Sequence, residues 1–320
     1  MVGRELASAR RLYSPGMTHW LETLLTGPCE GAPCPTVADW WPRHRALARE
    51  ASSTMAQAIL GGYHADRVGW AFASAYQAAL RALVPGLPED AVVALCVTEK
   101  NGNSPGAIRT ELRDGVLNGA KHWTTLGPDG QMFLVVARDA AVQSEKPALR
   151  LLRITAAMPG VHIEAMPPTP FVPEVPHASL RFENVRVAED AVLLGDGYLR
   201  YVKPFRTGED LHVQAAVLAY LVREARRLSW SREWIERAIA QLLSLESIAA
   251  LPSLANSTHI ALAGALSGVA TLVAEADKYW QASEGDEVAV RWKRDRALFG
   301  VAATQRAKRT ERAWERLAAR

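Results

Sequence analysis

Cysteine is scarce: Cys29, Cys34 and Cys96 are the only three in 320 residues. An odd number in a long chain without a secretory signal argues against a disulfide framework and points to a reducing, cytoplasmic setting. Cys29 and Cys34 sit in GPCEGAPCP, half of a zinc-like pattern, but no second Cys or His pair follows, so two loop thiols and no metal are expected. Net charge is low as well. A formal +3 is too slight to argue for a nucleic-acid partner, although Arg291, Lys293, Arg294, Arg296, Arg306, Lys308, Arg309, Arg312, Arg316 and Arg320 crowd the C-terminal end. Two readings of that crowd stand side by side, a solvated helix face and a docking surface for phosphates or an acidic partner. The most apolar run, HIALAGALSGVATLVA (259–274), is too short and too rich in Gly, Ala and Ser for a membrane span, and is expected to be a buried helix. No glycine-rich fingerprint follows a strand and opens a helix, which disfavours a doubly wound dinucleotide fold.

At 49% hydrophobic and 22% charged residues, the chain can bury a large core divided among two or three domains. Residues 1–90 read as helices: RELASARRLY, THWLETLL, a Cys/Pro/Gly loop, ADWWPRHRALAREASSTMAQAIL, and, after a Gly61-Gly62 break, DRVGWAFASAYQAALRALV. In the last of these Val68, Phe72, Tyr76 and Leu80 recur at helical spacing, and Pro85, Gly86 and Pro88 stop it. Trp40, Trp41 and Trp70 are expected in the core. Residues 91–197 read as strands separated by Gly, Pro, Asn and Asp, in an antiparallel arrangement. Residues 198–320 read as a helical bundle: GEDLHVQAAVLAYLVREARRL, REWIERAIAQLLSLESIAAL, the apolar run and RALFGVAATQRAKRTERAWERL. The fold class is α+β.

Within the strand region, NGAKHWTTLG (118–127) starts with Asn-Gly, the strongest short hairpin signal. Alternation then puts Trp123 and Thr125 on one face and Thr124 on the other. An indole beside a hydroxyl is either cross-strand packing or a seat for a flat ligand with a hydrogen-bonding edge.

VTEKNGNSPGAIRT (97–110), followed by LNGAKHWTTLG and QMFLVVARD, resembles the acyl-CoA dehydrogenase family, as do PGVHIEAM and SLRFENVRVAEDAVLLGDG further on. The resemblance implies an N-terminal helical domain, a middle antiparallel β domain and a C-terminal four-helix bundle, in a divergent and shortened member. It implies FAD as cofactor, with Trp123 packing by the isoalloxazine and Thr125 bonding near flavin N5. Thr98 and Glu99 would belong to the loop whose backbone meets the flavin's pyrimidine edge, and Ser104 would line the substrate site. Lys100 to Asn103 replace the family's Pro-Gly-Ala-Gly with a loop one residue shorter. The implied chemistry is α,β-dehydrogenation of an acyl-CoA or related acyl thioester, and it needs a carboxylate across the substrate from the flavin. The family's usual Tyr-Glu-Gly-Thr motif is missing. EDLHVQAAVLA (209–219) instead lines up with a smaller branch whose base starts the first helix of the C-terminal domain, which makes Glu209 the proposed base. Asp210 stands where that branch has Arg, and Arg206 would supply the cation. An acidic pair at a helix start also complements the macrodipole, so Glu209 and Asp210 have that second reading. The family's Arg-Lys-x-Phe-Gly and Gln-x-x-Gly-Gly segments, which hold the flavin's pyrophosphate and adenine, have no match. The resemblance also implies an electron-accepting flavoprotein partner and a homo- or hetero-oligomer. Two alternatives accompany it: a catalytically silent subunit of a hetero-oligomer, and a flavin-dependent monooxygenase of the same fold.

Overall fold

In the computed structural model, residues 19–142, 145, 147–283 and 285–319 are described. The stretch RELASARRLY and the terminal Arg320 lie outside the described residues. Four helices open the fold: α1 (His19–Thr26), α2 (Val37–Glu50), α3 (Thr54–Tyr63) and α4 (Val68–Leu83). The segment read as one helix, ADWW through QAIL, is broken after Glu50, because Ser53 turns extended and its hydroxyl caps the backbone N–H of Ala56. Trp40, Trp41 and Trp70 are buried as expected, Trp40 stacking on Trp70 with ring centroids 5.4 Å apart. Cys29, Cys34 and Cys96 are all free thiols.

Gly61 and Gly62 do not break the chain; both lie inside α3. A Cβ on Gly62 would overlap the carbonyl oxygen of Ala216 in the long helix that follows the sheet, so the glycine permits close approach of two helix backbones. Gly62→Ala is therefore expected to cost about 1–3 kcal/mol by overpacking against backbone that cannot yield. A denaturant melt reads this directly, and an unchanged midpoint would show that the two helices can part without penalty.

The sheet contains seven strands: β1 (Val93–Cys96), β2 (Glu111–Arg113), β3 (Val116–Thr125), β4 (Met132–Asp139), β5 (Leu149–Thr155), β6 (Val161–Ala165) and β7 (His177–Arg186). Most pairings are antiparallel: β2 with β3, β3 with β7, β7 with β6, and β4 with β5. The expectation of a purely antiparallel sheet is corrected at two places, since β1 and β2 both run parallel to β4. Parallel neighbours need a connection that leaves the sheet, and residues 97–110 leave it between β1 and β2.

The hairpin also moves. Arg113 pairs with Val116 across a two-residue turn, Asp114-Gly115, with φ of 50° and 72°, the left-handed pair a primed turn requires. Asn118-Gly119 lies inside β3 at a register shift. Gly119 has φ 143°, and a Cβ there would come within 2.6 Å of Thr110 Cα, so this glycine lets β3 ride over residue 110.

After β7 the helical backbone begins with a π-helical turn, Tyr198–Val202, and runs without a break into α5 (Lys203–Arg227). Then come α6 (Arg232–Ala249), α7 (Asn256–Gln281), α8 (Glu287–Asp295) and α9 (Ala303–Ala318). Helices α5, α6, α7 and α9 form the bundle by packing each on the next. RALFGVAATQRAKRTERAWERL was read as one helix; a 3-10 turn at Arg296–Gly300 and a left-handed Ala302 (φ 62°) divide it before α9.

Helix α5 is the hub. Every residue from Leu211 to Ala225 is buried, more than the single face set by Leu211, Ala215, Leu218 and Val222, because α3 and α4 cover it on one side and α6 and α7 on another. Arg223 ties it to the N-terminal helices by donating to the carbonyls of Tyr63 and Ala65, while Glu224 accepts from Arg223 and Arg227. The apolar run lies in α7, whose 26 residues are long and apolar enough to cross a membrane by length and composition alone. The buried-helix expectation holds for one face, Leu262, Ala265, Val269, Leu272 and Ala276; the face carrying Ala261, Gly264, Ser267 and Ala270 is exposed.

Candidate functional site

The predicted site residues fall into two groups joined by one loop. The first group is at the end of β3. Between Lys121 and Thr124 the register with β7 shifts, and Trp123 takes a left-handed φ of 57°, a strained conformation for so bulky a residue. The bulge turns the indole outward, 53% exposed, while Thr124 stays buried and reaches the Cys96 thiol. Trp123 and Thr125 share a neighbour, as alternation implied: His177 meets the indole edge-on at 6.0 Å between ring centroids, and its Nε2 lies 3.4 Å from Thr125 Oγ1. Burial holds the His177 imidazole below its ordinary pKa against the pull of the Val175 backbone. Sequence reasoning missed His177. It is the cross-strand register partner of Thr125, and only the pairing of β3 with β7 reveals it.

The loop from Thr98 to Ser104 leads to the second group. The Thr98 carbonyl accepts from His122 N–H at 2.8 Å, beside Trp123. Glu99 and Gly102 exchange two backbone hydrogen bonds of 2.9 Å each, a tight turn that accommodates the shorter loop. The Glu99 carboxylate points inward to Lys121 Nζ at 2.7 Å and accepts from the backbone N–H groups of Arg109 and Thr110. Burial alone would raise this carboxyl's pKa, but Lys121 and these donors together hold it below the usual range. The Glu99 carboxylate is therefore engaged inside the fold, and its backbone N–H and carbonyl are paired with Gly102.

Asn103 and Ser104 then reach a cleft of about 610 Å³ whose wall includes Arg206, Glu209 and Asp210. Arg206 lies over the Tyr198 ring and donates to Asn103 Oδ1 at 3.5 Å. Because the helical backbone already begins at Tyr198, Glu209 and Asp210 are not at a helix start. The macrodipole reading of this acidic pair is thereby corrected. Asp210 docks α9, taking Arg309 at 2.6 Å and Arg306 at 3.7 Å. Glu209 pairs with no cation within bonding distance among the described residues. Burial, and then the charge of Asp210, push its carboxyl up to about 7, with Arg206 and Arg306 pulling the other way. A carboxylate poised near neutrality in a cleft can accept a proton at physiological pH. Among the described residues no cluster of His, Cys, Asp or Glu is arranged to hold a metal ion.

Residues 94–185 match the model of the acyl-CoA dehydrogenase middle domain. Butyryl-CoA dehydrogenase from Megasphaera elsdenii has a similar structure, with 15% identity, 85% of each chain covered and a TM-score of 0.63. Glutaryl-CoA dehydrogenase from Mycobacterium smegmatis is similar at 14% identity, 97% of each chain and a TM-score of 0.67. PigA, solved with FAD and proline, is similar at 13% identity over 93% of this chain and 88% of that one, with a TM-score of 0.63. No curated protein sequence matches the chain. Residues 94–185 thus carry the sequence of an acyl-CoA dehydrogenase middle domain, and the chain around them has the fold of the acyl-CoA dehydrogenases.

Proposed function

We propose that this chain is a flavin-dependent oxidoreductase that α,β-dehydrogenates an acyl thioester, with Glu209 as the proton acceptor. The observation that carries the reading is the Glu209 carboxyl itself, on a cleft wall and raised to about 7. The residues at the end of β3 fit a flavin. A large indole is held outward by a strained backbone, half exposed and with His177 at its edge, a surface a flat conjugated ring would cover. Trp123 and Thr125 would hold FAD, with the Thr98 and Glu99 backbone at its rim, and bound FAD would supply the hydride acceptor.

Glu209 takes the proton from the thioester α-carbon. Arg206, held by Tyr198 and Asn103, keeps enough positive charge nearby for the carboxylate to form. Ser104 lines the same cleft and offers a hydroxyl to the substrate. The reading includes a cytoplasmic location, an electron-accepting flavoprotein and a homo- or hetero-oligomeric assembly.

The experiment is an absorption spectrum of the purified chain with added FAD, followed by anaerobic titration with acyl thioesters. Uptake of FAD and bleaching of its visible band by thioester are expected. Trp123→Ala should weaken FAD uptake by about 5–150-fold, since base-like rings gain about 1–3 kcal/mol from aromatic stacking. A chain that takes up no FAD at any concentration would end this reading in favour of a silent subunit.

A further inference from the structure

The Thr125 hydroxyl can present either of two things to whatever covers Trp123, a lone pair or a proton. Which one it presents depends on its own partner. Among the described residues that partner is His177 alone, whose Nε2 lies 3.4 Å from Thr125 Oγ1 while the ring meets Trp123 edge-on. The contact is built into the sheet, because His177 and Thr125 are register partners across β7 and β3, beside the bulge that turns Trp123 outward.

The ring's own proton can be placed. Nδ1 is buried without a full hydrogen bond, and the one group drawing a proton to the imidazole is the Val175 backbone two residues back. Nε2 is the nitrogen turned to Thr125, so a proton drawn by that backbone sits on Nδ1 and leaves a lone pair on Nε2. The neutral ring can then only accept, and the Thr125 hydroxyl donates to it. Protonation reverses the bond, since both nitrogens of an imidazolium donate. Charged groups on the neighbouring elements are turned elsewhere. On β3, Lys121 faces Glu99 and His122 meets Ser179 at 2.9 Å; on β6, His162 and Glu164 are exposed; and Glu174, in the loop before β7, faces Arg294. Neither these nor Asp129 in the turn after β3 shifts the ring.

We propose that His177 is a positioning residue that sets the direction of the Thr125 hydroxyl: neutral, it turns the proton inward and leaves a lone pair facing the ligand; protonated, it turns that proton outward. The inference rests on the reading that Trp123 and Thr125 hold a flavin, with Thr125 near its N5. An oxidised flavin offers a bare N5, which only accepts, and a reduced flavin carries hydrogen there. Neutral His177 therefore favours reduced FAD, and protonated His177 favours oxidised FAD. Burial holds the imidazole below its usual 6.5, so at neutral pH the seat is set for the reduced cofactor, the product state of a dehydrogenation. The setting reverses only in acid.

Two measurements on the full-length chain test it. In the flavin-free protein, nitrogen NMR of the imidazole whose signal disappears in His177→Gln should show the Nδ1–H tautomer at neutral pH. Thr125→Val should move the titration of that imidazole to lower pH, because the imidazolium loses an acceptor. With FAD bound, the ratio of affinities, oxidised over reduced, should rise between pH 8 and pH 5 by about 2–10-fold more in the wild type than in His177→Gln, the net worth of one hydrogen bond. Glutamine keeps hydrogen-bonding groups but does not ionise, and Glu209 titrates in both proteins, so its contribution cancels. An Nε2–H tautomer, a His177 titration untouched by Thr125→Val, or the same pH dependence in the wild type and His177→Gln would each overturn the assignment. No FAD uptake by the wild type ends the flavin reading, and the tautomer and titration of His177 still decide the direction of the hydroxyl. FAD uptake with a pH dependence indifferent to His177 ends this inference alone.

Discussion

Glu209→Gln should slow thioester-driven flavin bleaching by about 10²–10⁴-fold, the usual worth of a general base, and should at the same time stabilise the fold at pH 8. The sign follows from the direction of the shift. The folded carboxyl is raised from an ordinary 4.5 to about 7, so the fold favours its protonated form. Its stability contribution is complete below the ordinary value and is lost as pH rises through about 7. Glutamine never ionises and avoids that loss. The gain at pH 8 should be about 1–2 kcal/mol, discounted because the side chain is partly solvated, and it should nearly vanish at pH 5. The wild-type bleaching rate should climb through the same pH region as the base ionises. Melts at the two pH values and a stopped-flow pH profile check both halves. A stability difference independent of pH, or bleaching undiminished in the variant, would remove Glu209 from its role.

Lys121→Met should cost about 3 kcal/mol, the lower end of what is lost when one partner of a buried ion pair is removed. Lys121 Nζ is fully buried against Glu99, 2.7 Å away. Without it the Glu99 carboxylate retains only the Arg109 and Thr110 backbone donors, at 2.7 and 3.0 Å, which is why the lower end is expected. The loss should shrink in acid. Protonating Glu99 relieves the stranded charge in the variant, whereas in the wild type it strands Lys121. Because this pair fastens the 98–104 loop to β3, FAD uptake should fall as well. Denaturant melts at neutral and acid pH measure the first effect and flavin titration the second. A loss below about 1 kcal/mol would mean that the pair behaves like a solvated one.

The order of helices, strands and helices was legible along the chain because periodicity and breakers are local: Val68 to Leu80 at helical spacing, and alternating runs bounded by Gly and Asp. The same local reasoning misjudged elements whose meaning lies in a contact. Asn118-Gly119 has the composition of a turn, but the turn formed at Asp114-Gly115, and Gly119 serves a close crossing over Thr110. Gly61-Gly62 resembles a break, yet the helix continues because Ala216 needs the room. The Arg-rich tail could be read as a solvated face or as a docking surface, and only the packing of α9 on α7 and its pairing with Asp210 turn it into a cleft wall.

The sequence by itself determined the fold's grammar, the core tryptophans, and the residue types at the site: an indole, two hydroxyls and a carboxylate, whose chemistry goes wherever they are placed. Tertiary structure alone decided what each of them faces. It set His177 beside Trp123 and Thr125, enclosed the side chain of Glu99 with Lys121, and brought Arg306 and Arg309 to Asp210 across most of the C-terminal bundle. It also raised Glu209 toward neutrality. Burial and the field of neighbouring charges are sums over atoms distant in sequence, and no local window of residues contains them.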